Sequence, residues 1–138
     1  MWHIAANAGS TWRSQLICVK GFIIIARHSS LGQHLLIDLY GASDLTDISI
    51  IQQALQEAAQ ICGATLLDIK LHGFGENQGV TGVALLAESH ISIHTWPETQ
   101  YAAIDVFMCG NCEPKLSVGV FEQAFKPHKI TVSEHSRG

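Results

Sequence analysis

Leu35, Ile37 and Leu39 alternate with His34, Leu36, Asp38 and Tyr40, the period-two pattern of a strand with one more apolar face. Asp44 to Asp47 then offers N-cap chemistry. Ile48, Ile51, Leu55, Ala58, Ala59 and Cys62 recur at helical spacing until Gly63, a natural stop. Residues 65–71 and 80–87 read as strands joined by a loop carrying Gly73, Gly75 and Gly79. Residues 90–95 and 102–108 read as two more, turning around Pro97. A second helix is predicted from Pro114 through Leu116, Val120 and Ala124, weakened by Gly119 and ended before Pro127. Residues 130–135 supply a last strand. Strand, helix, four strands, helix, strand, with short turns between consecutive strands, predicts an α+β fold. It should be a two-layer α/β sandwich, an antiparallel sheet with helices on one face. The other face needs a cover, and a partner subunit is one way to supply it. The first thirty residues lack this patterning. Regular structure is expected from Leu31, with residues 1–30 an extension of unknown role and residues 31–138 the domain.

Composition narrows the class. Of 138 residues, 47% are hydrophobic and 14% charged, which suits a buried sheet or a sizeable apolar interface and argues against disorder. A formal net charge of −4 lacks the basic footprint of a nucleic-acid binder. The apolar run 16–26 is interrupted by Lys20 and is too short to span a bilayer. Arg13 before it and small residues after it resemble a signal peptide only in outline, because no small-x-small cleavage site follows. Cys18, Cys62, Cys109 and Cys112 do not require a disulfide framework, so a reducing cytoplasm is the expected setting.

Residues 87–98, Ala-Glu-Ser-His-Ile-Ser-Ile-His-Thr-Trp-Pro-Glu, concentrate the candidate chemistry. A serine hydroxyl can attack the carbonyl of the preceding peptide bond where the backbone is strained and a base is near. The ester so formed can break to leave a pyruvoyl group, a built-in electrophile, at position 89. Taken alone, Ser89 is an ordinary polar residue at a strand edge; its neighbours single it out. His94 suits acid–base work beside it, since imidazole exchanges protons near neutral pH. His90 and His94 share a strand face, and a metal pair is conceivable. No third ligand stands at a diagnostic spacing, so no metal is expected. Cys109-Gly-Asn-Cys112 lies between a strand and a helix, which fits a thioredoxin-like redox site or half of a zinc site as well as two inert residues. Among Asp38, Asp105 and Glu98, the last, on the turn after Trp96-Pro97, has the best claim on a ligand. Phe74, between glycines, can stack on a planar ring or anchor its loop in the core.

Residues 87–98 together with 101–110, Tyr-Ala-Ala-Ile-Asp-Val-Phe-Met-Cys-Gly, closely resemble the prokaryotic S-adenosylmethionine decarboxylase proenzyme family. The resemblance runs from about Leu31 to Arg137 and includes Leu31-Gly-Gln-His34, Gly63-Ala-Thr65 and Glu134-His-Ser-Arg137. It implies self-cleavage between Glu88 and Ser89 into a β chain of residues 1–88 and an α chain of residues 89–138. Ser89 would become the pyruvoyl group. His94 matches the residue that removes the serine Cα proton during processing, Thr81 a hydroxyl residue that assists, and Cys109 the proton donor of decarboxylation. The implied substrate, S-adenosylmethionine, would join the pyruvoyl group as a Schiff base, lose carbon dioxide and become an aminopropyl donor for spermidine synthesis. Phe74 would stack on adenine and favour the sulfonium, and Glu98 would accept the ribose hydroxyls. The family dimerises, with Phe74, His94 and Glu98 serving the partner's pyruvoyl group.

The chain departs from the family pattern near the substrate. No proline follows Phe74, one extra residue precedes Gly79-Val-Thr-Gly82, and Met108 stands where threonine is common. Ornithine or arginine therefore remains an alternative substrate. A redox or zinc module built on Cys109 and Cys112 and a non-catalytic regulatory relative are the readings from other classes.

Overall fold

The computed structural model describes residues 14–19, 22–27 and 30–138, with side chains from Ser30 onward. The chain divides at Ser30/Leu31 into two units. In the first, β1 (Ser14–Val19) pairs antiparallel with β2 (Phe22–Arg27). This corrects the expectation that regular structure begins at Leu31. The run 16–26 is apolar without alternation, so its only strand signals are β-branched residues on both sides of Lys20-Gly21.

In the second unit, Leu31–Arg137, six strands form one antiparallel sheet in the order β4-β5-β6-β7-β3-β8. They are β3 (Gly32–Tyr40), β4 (Leu66–Gly73), β5 (Val80–Leu86), β6 (Ser89–Trp96), β7 (Tyr101–Cys109) and β8 (Lys129–Arg137). β4 to β7 form a meander, and β3 inserts between β7 and β8. Helix α1 (Ile48–Ile61) begins where the sequence places it. The Asp47 carboxylate accepts from the Ser49 and Ile50 N–H groups at 2.8 and 3.1 Å, satisfying two otherwise unpaired donors. It ends at Gly63, whose φ of +78° suits glycine. Helix α2 is shorter than predicted. Pro114–Leu116 form a 3₁₀ turn and the α-helix covers only Ser117–Phe125.

Leu35, Ile37 and Leu39 of β3, Ile91 and Ile93 of β6, and Ile104 and Val106 of β7 point to one side and are buried. They meet Ile51, Leu55 and Ala58 of α1 and Phe121 and Phe125 of α2 in one core cluster. Both helices therefore cover the same face. The opposite face carries Leu36, Tyr40, Leu85 and Trp96, all exposed, among polar residues. Among the described residues, no helix is long and apolar enough to cross a membrane.

Candidate active site

The β5–β6 hairpin pairs Leu86 with Ser89, leaving Ala87-Glu88 as a two-residue turn. Glu88 takes φ +61°, a left-handed conformation costing a residue with a Cβ about 1–2 kcal/mol. The strain sits directly before Ser89. Because β6 lies beside β7 with His90 opposite Phe107, Ser89 reaches the end of β7, where Cys109 stands. Two hydrogen bonds join them. The Cys109 N–H donates to Ser89 Oγ at 3.1 Å, and the Cys109 thiol donates to the Glu88 carbonyl oxygen at 3.1 Å. The residue after the Glu88–Ser89 bond and the oxygen before it are thus gripped by one cysteine.

A second group gathers at the other end of β6. His94 lies opposite Thr81, with Nδ1 and Oγ1 3.0 Å apart. Thr95, on the buried side, donates to the Leu45 carbonyl at 2.7 Å and accepts from the Val80 N–H at 2.8 Å, fixing β6 to β5 and to the segment before α1. Gly79 allows this closeness, since a Cβ there would lie 2.0 Å from the Thr95 carbonyl oxygen. Phe74 is 59% exposed, its ring edge-on to His72, so it is no core anchor. Glu98 lies on the 3₁₀ turn Pro97–Thr99. Phe74, Gln78, Thr81, His94, Trp96 and Glu98 line a cleft of about 560 Å³, a size suited to a small-molecule ligand.

The structure thus brings Phe74, Thr81, His94 and Glu98 together, and separately Glu88, Ser89 and Cys109. It keeps the two groups apart. His94 is five residues along β6 from Ser89, about 16 Å at strand rise. His90 and His94, four residues apart on β6, are about 13 Å apart at strand rise, too far to share one ion. Asp38 and Asp105 lie outside the cleft. Asp38 accepts from Thr131 at 3.3 Å and from the Tyr101 hydroxyl at 2.5 Å, and the bond from Tyr101 pushes its phenol up to about 12. Asp105 accepts from Ser92 at 3.4 Å. Near the Ser89 end, partial burial pulls the His34 imidazole below its ordinary value; Asp105 opposes this, and Arg137, His90 and His135 add to it.

Sequence reasoning missed Trp96 and Gln78. Trp96 stacks on Tyr101 at 5.3 Å and lies 6.2 Å from the His94 ring. Its signal was available: it is two residues beyond His94 on one strand, hence on the same face. Gln78 lies in the loop that departs from the family pattern, where spacing gives no guide. Cys109-Gly-Asn-Cys112 is a turn, and α2 begins only at Ser117, so neither thiol sits at a helix N-terminus.

A six-stranded antiparallel sheet with two helices on one face, and a hairpin turn at Glu88–Ser89 bonded on both sides by Cys109, defines the class as a small α+β protein with a candidate site at that turn. A family model for S-adenosylmethionine decarboxylase matches residues 33–138. The S-adenosylmethionine decarboxylase proenzyme of Methanococcus maripaludis (strain C5) is 48% identical over 111 residues, 78% of this chain and 90% of that protein. The proenzyme of Thermomicrobium roseum is 39% identical over 110 residues, 79% of this chain and 95% of that one. The crystal structure of the adenosylmethionine decarboxylase from Aquifex aeolicus superimposes with a TM-score of 0.70 at 35% identity, covering 79% of this chain and 92% of that one. The chain belongs to the S-adenosylmethionine decarboxylase family.

Proposed function

We propose that this chain is a proenzyme that cuts itself between Glu88 and Ser89 and then decarboxylates S-adenosylmethionine, with residues 31–138 as the working domain. The supporting observation is the placement of Cys109 across the Glu88–Ser89 bond. Its N–H orients the Ser89 oxygen. Its thiol donates to the oxygen on which negative charge develops when Ser89 Oγ attacks the Glu88 carbonyl, the kind of donor that stabilises an oxyanion. The C–N bond then breaks and Glu88 is held as an ester on Ser89. Removal of the Ser89 Cα proton by His94 expels Glu88 as a free carboxylate, and hydrolysis of the resulting enamine releases ammonia. Thr81, bonded to His94 Nδ1, orients that ring for the task.

The pyruvoyl group so made supplies an electrophilic carbonyl for the substrate amine and a sink for the electrons left as carbon dioxide departs. The residues present fit such a group, since position 89 lies within reach of Cys109, whose N–H and thiol bond the atoms on either side of the Glu88–Ser89 bond. Cys109 is then the proton donor to the substrate's α-carbon. In the cleft, Phe74 offers a ring face to adenine and to the sulfonium, and Glu98 offers a carboxylate to the ribose hydroxyls. This pairing favours a nucleoside substrate over ornithine or arginine, which would need neither.

The two ends of β6 must meet for this chemistry, and one chain cannot fold them together. The working form is therefore a homodimer in the cytoplasm, with Phe74, Thr81, His94 and Glu98 of each copy facing residue 89 of the other. The half-apolar open sheet face is the surface for that contact. The product, decarboxylated S-adenosylmethionine, is an aminopropyl donor for spermidine synthesis. The test is release of labelled carbon dioxide from carboxyl-labelled S-adenosylmethionine. Wild-type protein is expected to release it and Ser89→Ala to release none above background. Equal release from both would end the proposal, and release from ornithine or arginine instead would move it to the alternative substrates.

A further inference from the structure

Two thiols bracket the turn after β7, and the proposed chemistry uses only one. Gly110 takes φ +65°, and the Cys112 N–H points back to the Cys109 carbonyl at 3.5 Å. A four-residue turn holds its end Cα atoms within about 7 Å, and a disulfide spans about 4.4–6.8 Å between Cα atoms. Among the described residues, Cys62, Cys109 and Cys112 are free thiols. Cys109 and Cys112 are both half-buried. Cys62 is buried, donates to the Pro114 carbonyl at 3.8 Å, and burial pushes its thiol up to about 11. Since the thiolate is the attacking species, Cys62 is the poor partner.

We propose that Cys109 and Cys112 form a reversible disulfide with a low-molecular-weight disulfide as oxidant, switching the enzyme off by consuming the Cys109 thiol. One thiolate of the pair attacks a sulfur of the oxidant, whose S–S bond breaks and releases one thiolate. The other cysteine attacks the protein sulfur of the mixed disulfide and expels the second. Two protein thiols are oxidised, the oxidant is reduced to two thiols, and these carry off the two protons. Cys109 must first leave the Glu88 oxygen, which after cleavage belongs to a free chain end. The loss of activity rests on Cys109 being the proton donor; the disulfide itself does not.

The experiment equilibrates full-length processed protein with mixtures of reduced and oxidised glutathione, then blocks remaining thiols and digests with trypsin. No Lys or Arg lies between Lys70 and Lys115, so both cysteines stay on one peptide. The expected peptide is unblocked and lighter by two hydrogens. Decarboxylation should fall about 100-fold or more, the scale of a lost general acid, and return with dithiothreitol. Cys112→Ser and Cys112→Ala should keep basal turnover and retain it at glutathione ratios that silence the wild type. Equal loss in wild type and both variants, or a wild-type peptide carrying blocked or glutathionylated cysteines, would overturn the switch. A bridge with undiminished turnover would also overturn it, and would separately remove Cys109 as the proton donor.

Discussion

At the scale of single residues, the molecule places opposite demands on neighbouring groups. Cys109 bonds an atom on each side of the Glu88–Ser89 peptide bond, and Glu88 takes a left-handed backbone conformation, the pairing on which the proposed cleavage rests. The residues of the proposed chemistry could be picked out in the sequence because all but Phe74 and Thr81 fall in two short stretches, 87–98 and 101–110. What was not legible was which groups share a space. Ser89 and His94 look like partners in sequence, yet the strand carries them to opposite ends. His34 shows a second kind of hidden property. Its Nε2 is buried, with no hydrogen-bond partner among the described residues, and its Nδ1 lies 3.3 Å from the Arg137 guanidinium. The folded state therefore holds this imidazole neutral to lower pH than the unfolded chain does. Below the ordinary histidine value of about 6.5, the unfolded chain binds more protons, so stability falls on acidification. Urea midpoints for wild type and His34→Gln should show the variant losing less stability than wild type between about pH 7 and pH 5. Parallel losses would assign the acid sensitivity elsewhere.

Elements were legible in proportion to how completely one face is buried. β3, β6 and β7 alternate cleanly because α1 and α2 pack against the same side of the sheet, and α1 shows both its stripe and its cap. Asp47→Ala removes the acceptor for two N–H groups and should lower unfolding stability by about 1 kcal/mol, measured by denaturant titration. An unchanged midpoint would mean that solvent caps the helix as well. α2 was overextended because Pro114 is a good first-turn residue for either helix type, and Lys126, in a left-handed conformation, ends the element. The β1–β2 hairpin was missed because the apolar residues on either side of Lys20-Gly21 are consecutive rather than alternating and carry no period. The close passage of Gly79 under Thr95 depends on a contact across the hairpin, which no local pattern encodes.

At the scale of the whole molecule, the two groups of candidate residues lie at opposite ends of β6, and the proposed dimer is what would bring them together. This organisation follows from a strand rise of about 3.3 Å per residue acting over the five residues between Ser89 and His94. It makes a specific prediction about mixed assemblies. Ser89→Ala and His94→Ala chains should each remain uncut when produced alone. Produced together, the His94→Ala chain should be cut in part, because a Ser89→Ala partner brings it an intact histidine. No cutting in the mixture would place both residues in one chain's site and contradict the dimer. Processing itself is the claim on which everything else depends. Its most direct measurement is the intact mass of purified wild-type and Ser89→Ala protein under denaturing, reducing conditions. Wild type should give two chains divided between Glu88 and Ser89, the second beginning with a pyruvoyl group rather than serine, and Ser89→Ala a single chain. A wild-type chain that stays whole, or a Ser89→Ala chain still cut at that bond, would contradict it.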